Sequence, residues 1–273
     1  MKIGRQEQPR SAISTSNADV IVVRGRDLCR ELVGKISFTE HVWLLITGAL
    51  PSAAQRQILD ATLVAIAEHG LVPSVVASRM TLAAAPEALQ GAVAAGILGC
   101  GSVILGAASE AAKLFSEIVA RGAAGGIDSA ARSALADLRA ARQAVPGYGH
   151  PLHKGGDPRV ARLLELATEW HVAGQHVACA RAIEKWMPEV VGKPLLMNVS
   201  AAIGAVLLDC GYPLLAVKGV PILARTASLV ANLLEEQQRP IGFALAYGGS
   251  QAIDYDGEVP PGFVASDGAG GSG

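Results

Sequence analysis

Gly147-Tyr148-Gly149-His150-Pro151-Leu152-His153-Lys154-Gly155-Gly156-Asp157-Pro158-Arg159 is the stretch where a chain of helical pattern stops and then restarts. Pro146, Gly147, Gly149, Pro151, Gly155 and Gly156 crowd together here, which reads as a loop. Asp157 then offers an N-cap and Pro158 takes the first helical position, a clean helix start. Val160, Leu163, Leu164 and Ala167 follow at one-face spacing. Loops held between helices are where binding and chemistry concentrate.

Working outward, helix signals dominate. Ser37 is a cap with Glu40 as its capping-box partner, opening a helix that stops at Gly48. Pro51 and Ser52 begin another, which ends near His69-Gly70, where glycine supplies a left-handed position. Further helices are predicted over 27–36, 74–84, 87–104, 107–121, 127–143, 174–187, 198–210 and 220–237. Val20-Ile21-Val22-Val23 reads as one short strand. The expected class is all-α. The Gly- and Ser-rich segment 266–273 is expected to be a disordered tail.

Composition narrows the function classes. Hydrophobic residues make up 51% but aromatics 4%, so Ala, Leu, Val and Ile must build the core through close helix packing. Lys and Arg number 23 against 24 for Asp and Glu, so no global field attracts nucleic acid. Cys29, Cys100, Cys179 and Cys210 are far apart and read as small buried residues in a reducing compartment. The N-terminus lacks the apolar core of a secretory leader, and a cytoplasmic location is expected. Residues 88–109 are uncharged and long enough to cross a bilayer, but Ala and Gly dominate and no aromatic belt flanks them. They are expected to form a buried helix at a subunit interface of a homodimer, with no membrane contact.

No P-loop, GxSxG, HExxH or glycine fingerprint after a strand occurs, and no metal is expected. His41, His69, His171 and His176 read as ordinary histidines on helical patterns. His150 differs, because Gly147 and Gly149 let backbone approach a ligand closely. The helix start after Asp157 favours an anion, Arg159 can clamp a carboxylate bidentately, and Lys154 suits a phosphate. A carbonyl polariser with anion clamps fits chemistry on a thioester or polycarboxylate. On spacing alone, a surface loop with incidental charges fits as well.

The GYGHPLHKGGDPR run resembles the G-x-G-H…D-P-R segment of the citrate synthase family. Arg24-Gly25-Arg26-Asp27-Leu28, Ser37-Phe38-Thr39-Glu40 and Gly48-Ala49-Leu50-Pro51-Ser52 are similar to its RGxDL, SFxE and GxLPS segments, most of all in the citryl-CoA lyase branch. Lys193-Pro194 and Leu196-Met197-Asn198-Val199 resemble the approach to the family's catalytic aspartate, and Ala224-Arg225-Thr226 its second citrate-binding arginine.

The resemblance implies a two-domain helical fold. Residues 1–106 and 213–265 would form a large domain, with a small domain, 107–212, inserted between them and closing on ligand. It implies that His150 polarises a carbonyl, that Arg159 and Arg225 hold carboxylates, and that Lys154, Gly147, Gly149 and Lys193 line coenzyme A. The ligands implied are an acyl-CoA and a polycarboxylate or 2-oxo acid, and the reaction is cleavage or formation of the C–C bond of citryl-CoA or a related thioester.

Three positions depart from the pattern. Ser200 stands where the family carries its aspartate base, and a serine is no base unaided near neutral pH. Asp209 lies nine residues along the same predicted helix, turned to the opposite face. Leu105 replaces the synthases' enol-stabilising histidine, and Arg79 stands where the lyase branch has a histidine, able to bind a carboxylate or enolate oxygen. His150, Ser200 and Arg79 are thus the catalytic candidates. Loss of the aspartate equally fits altered chemistry or a non-catalytic CoA- and polycarboxylate-binding paralogue.

Overall fold

A computed structural model describes residues 9–101, 105–149 and 155–263. His150, Lys154 and the 266–273 tail lie outside the described residues. The expected all-α architecture is what forms: α1 (Phe38–Thr47), α2 (Ala53–Ala67), α3 (Pro73–Ala84), α4 (Leu89–Leu98), α5 (Ala107–Gly125), α6 (Ile127–Ala140), α7 (Pro158–Glu169), α8 (Gln175–Val191), α9 (Val199–Asp209), α10 (Gly219–Gln238) and α11 (Gly242–Gln251). Near the N-terminus, the β-branched run pairs on both sides. Strands β1 (Ser14–Ser16), β2 (Ile21–Val23) and β3 (Arg26–Asp27) form a small antiparallel sheet, with Thr15 opposite Val22 and Val23 opposite Arg26. The helix expected over 27–36 shrinks to one wide turn, Leu28–Leu32, which Asp27 caps and Gly34 (φ +74°) ends.

The chain falls into two compact units: Met1–Glu68 with Gly101–Ala224, and His69–Cys100 with Arg225–Gly273. In the first unit α5 and α9 are the core. Ala111, Ala112, Phe115, Ala201, Ala202 and Ile203 have no exposure at all. Gly204 explains the close approach, since a Cβ there would lie 3.0 Å from the Ala108 carbonyl oxygen and 3.0 Å from the Ala112 nitrogen. Capping boxes set the starts of α1 and α2: Ser37 Oγ accepts from Glu40 N and Glu40 Oε2 from Ser37 N, and Ser52 with Gln55 repeats the arrangement.

The second unit is built from α3, α4, α11 and the later turns of α10, around Leu82, Ala92 and Leu233. The helix expected over 87–104 is shorter than its apolar stretch. It has ten residues, about 15 Å, half the thickness of a bilayer core. Within one copy of the chain, Ala92 and Gly96 face inward while Leu89, Gln90, Ala94 and Leu98 are exposed. Gly96 packs within its own unit, where a Cβ would lie 2.7 Å from Leu229 Cδ1 and 2.8 Å from the Ser74 carbonyl oxygen. The helical run Leu214–Gln238 does have the length and hydropathy of a span, yet Leu229 and Leu233 on it are fully buried.

Candidate active site

In the first unit, the two segments that carry the sequence motifs are stitched to each other. Tyr148 and Met197 form an isolated antiparallel bridge, with Gly149 N donating to Leu196 O at 2.7 Å and Asn198 N donating to Gly147 O at 2.9 Å. Asn198 then does two further things with its side chain. Its Nδ2 donates to Gly149 O at 2.8 Å, and its Oδ1 accepts from Ser200 N at 3.0 Å, capping α9. The residue before His150 and the backbone of Ser200 are therefore held by one amide. Ser200 occupies the second position of α9 and is half-buried.

Backbone conformation and close contact together require glycine at 147. Its φ is +85°, and a Cβ would sit 2.6 Å from the Ala201 Cβ. Tyr148 anchors the bridge from below, its buried hydroxyl donating to Ala180 O at 2.7 Å. Burial drives the Tyr148 phenol well above its ordinary pKa, so it stays protonated and a donor. From the other side Met197 N donates to Glu184 Oε2 at 2.9 Å. Lys193 is exposed, two residues past the end of α8.

At the start of α7 the structure corrects a detail of the sequence reading. The anion at this helix N-terminus is the protein's own Asp157. Its carboxylate accepts from Arg159 N, Arg159 Nε at 2.9 Å, Arg159 Nη2 at 2.8 Å and Val199 N at 3.1 Å. Burial acts to raise the Asp157 carboxyl, but Arg159 and the Val199 N–H hold it below the usual carboxylate range. Two residues separated only by Pro158 thus form a bidentate pair, and Asp157 ties α7 to the first turn of α9. Arg159 keeps partial exposure, 20% of its side chain, so the guanidinium is pre-oriented and still reachable.

Asp209 is committed elsewhere. It accepts from Gly174 N, His176 N, Val177 N and His176 Nδ1, and caps α8 from the far end of α9. Burial opposes ionisation, and His176 with three backbone N–H groups keeps the carboxyl low. His176 therefore has a partner that spacing alone had not revealed. Leu105 sits at φ +65° in the turn before α5, a strained conformation for a non-glycine residue, and packs partly against the first unit's core.

Arg79 and Arg225 belong to the second unit, and their surroundings differ. Arg79 is 3% exposed and donates through Nε to Glu236 Oε2 at 2.7 Å, through Nη1 to Glu235 Oε2 at 2.8 Å and through Nη2 to Arg239 O at 3.3 Å. Its guanidinium is a cross-link between α3 and α10. Glu236 in turn accepts from Ile241 N and Gly242 N, setting the start of α11. Arg225 is also 3% exposed, yet among the described residues its Nε and Nη1 have no hydrogen-bond partner. Among the described residues, no group of three or more His, Cys, Asp or Glu side chains could hold a metal.

Comparison with known proteins agrees with this architecture. The family description "Citrate synthase, C-terminal domain" matches residues 54–242, more than half of the chain. Citrate/2-methylcitrate synthase of Bacillus subtilis (strain 168) is 26% identical over 205 residues, 74% of this chain and 53% of that protein. The chain thus spans about half the length of the curated relative it matches. The structure of citryl-CoA lyase from Hydrogenobacter thermophilus superposes with a TM-score of 0.83 at 28% identity, over 93% of this chain and 97% of that one. The ATP citrate lyase of Methanosaeta concilii, solved as a mutant in complex with (3S)-citryl-CoA, follows at a TM-score of 0.74 and 21% identity, over 94% of this chain and 43% of that one. With its motif segments stitched around α9 and its fold shared with these proteins, the chain belongs to the citrate synthase family.

Proposed function

We propose that the protein acts on the C–C bond of citryl-CoA or a related 3-hydroxy-3-carboxyacyl-CoA, yielding acetyl-CoA and a 2-oxo acid or running in reverse. The observation that carries this reading is the bridge between Gly147–Gly149 and Leu196–Asn198, in a chain whose fold matches a citryl-CoA lyase over 93% of its length. In cleavage, the 3-hydroxyl gives up its proton, the C2–C3 bond breaks, and its electrons form the thioester enolate. A proton then returns to C2. His150 polarises the carbonyl oxygen, and Lys154, Lys193 and the glycines of the loop line the CoA. Arg159 and Arg225 bind carboxylates. A hydroxyl both donates and accepts, so Ser200 relays the proton from the 3-hydroxyl or a water, with no net base required.

Arg79 takes no direct part in this scheme as long as its pairs with Glu235 and Glu236 persist. The exposed side of α4, with Leu89 and Leu98, is proposed as the contact with a second copy; a monomer in sedimentation would exclude it. The reaction itself is tested by incubating pure protein with citryl-CoA and following acetyl-CoA and oxaloacetate. His150→Ala should abolish product. No product from the wild type overturns the reading.

One observation favours a second reading, a CoA- and polycarboxylate-binding protein without this catalysis. The buried carboxylates at the two ends of α9, Asp157 and Asp209, are both sealed by N–H donors and cannot replace the missing base. If the wild type is inert and Ser200→Asp creates activity, this second reading is the correct one.

A further inference from the structure

The Ser37-Phe38-Thr39-Glu40 segment leaves one side chain without a duty in the fold. Ser37 and Glu40 form the capping box of α1, and Thr39 Oγ1 donates to Asp60 Oδ1 on α2 at 2.8 Å. Phe38 keeps 68% of its surface exposed. A lone exposed ring is ordinary, but this one stands at a cavity. In the first unit, α1, α2, the segment after α9 and the first turns of α10 surround a space of about 300 Å³, with Phe38, Val42, Leu63, Tyr212 and Leu223 in its lining. That is the lower end of the range for small-molecule sites, roughly 300–1,000 Å³. None of the lining residues is charged.

Tyr212 is the polar exception in this lining. It is 2% exposed, and its hydroxyl has no hydrogen-bond partner among the described residues. Tyr148, also buried, donates its hydroxyl to Ala180 O. Tyr212 is held firmly, its N–H donating to Leu207 O at 2.9 Å and its ring packed 5.3 Å from that of Trp43. Burial pushes its phenol up to about 12, so near neutral pH it is a donor with nothing to receive its proton. Apolar walls favour an apolar ligand body. With no charge in the lining, a carboxylate or phosphate would be desolvated without compensation. One unpaired donor calls for one neutral acceptor.

We propose that this cavity binds a small neutral molecule with an aliphatic body and one acceptor oxygen, a ketone or an ester, the oxygen accepting from the Tyr212 hydroxyl and the Phe38 ring covering the mouth. Such binding does not require the proposed C–C chemistry. The test is calorimetric titration of the full chain with 2-octanone and with octanoate, which has the same chain length and a charge. Tryptophan emission is a second readout, because Trp43 packs on Tyr212. The ketone should bind saturably and at least about tenfold more tightly than octanoate. Tyr212→Phe should weaken the ketone about fivefold to tenfold, the size of one neutral hydrogen bond, and should raise the urea midpoint of the free protein by removing an unpaired buried hydroxyl. Leu63→Trp, which fills the space from a partly buried position, should abolish ketone binding. Failure of the wild type to bind the ketone overturns the proposal, as does octanoate binding equally well or a ketone affinity that neither variant changes. A lower midpoint for Tyr212→Phe would overturn it too, since a buried water would then satisfy the hydroxyl. So would a change of oligomeric state in Leu63→Trp, which would give the cavity to a second copy of the chain.

Discussion

Arg79 and Arg225 are two arginines of one unit, each 3% exposed, with opposite surroundings. Arg79 meets Glu236, Glu235 and a backbone carbonyl; Arg225 has two nitrogens with no partner among the described residues. The first arrangement is what a structural cross-link looks like, because each buried charge is matched within the fold. The second leaves Nε and Nη1 of a buried cation without a hydrogen bond among the described residues, which costs stability. Removing each charge should therefore have opposite effects.

The largest expected effect is that of Arg79→Met. It strands the buried Glu236 carboxylate, and the lost stability should reach about 3–5 kcal/mol, read as a lower urea midpoint. An unchanged midpoint would break the contrast. Gly147→Ala comes next: positive φ and the 2.6 Å approach to Ala201 should cost about 2–4 kcal/mol and weaken CoA binding by calorimetry. Arg225→Met should raise stability by about 1–3 kcal/mol while abolishing carboxylate binding; a loss of stability would show that Arg225 is matched within the fold after all.

The smallest effect is pH dependence. Asp157, Asp209 and Glu236 all have folded pKa values below the ordinary one, each held down by donors against the opposing pull of burial. Their contribution is fully present above the unfolded carboxylate pKa of about 4 and is lost as pH falls through the lower folded values. Thermal midpoints should be flat from neutral pH to about 5 and then fall. Asp157→Asn should flatten part of that slope.

Much of the fold was legible because it rests on local rules. Ser37 and Glu40 announced a capping box, and Asp157-Pro158 announced the start of α7; both form as expected. A cap needs only residues within one turn, so sequence suffices. Interfaces were less legible. Hydropathy made 88–109 look like a buried helix at a subunit interface, but the pattern of a helix cannot say which neighbours cover it, and within one copy α4 has one covered side. The helix α11 escaped notice because Gly242, Gly248 and Gly249 hide its period.

By itself the sequence determined the helical class, the loop at 147–157 and the substitution of Ser200 for an aspartate, because these depend on residue type and short spacing. Tertiary structure decided which charges are free. Asp157 fills the helix terminus that looked open to a ligand, Asp209 caps α8, Arg79 is matched, and Arg225 is not. The partners of Asp209 and Arg79 lie 32 or more residues away, and no local pattern encodes them.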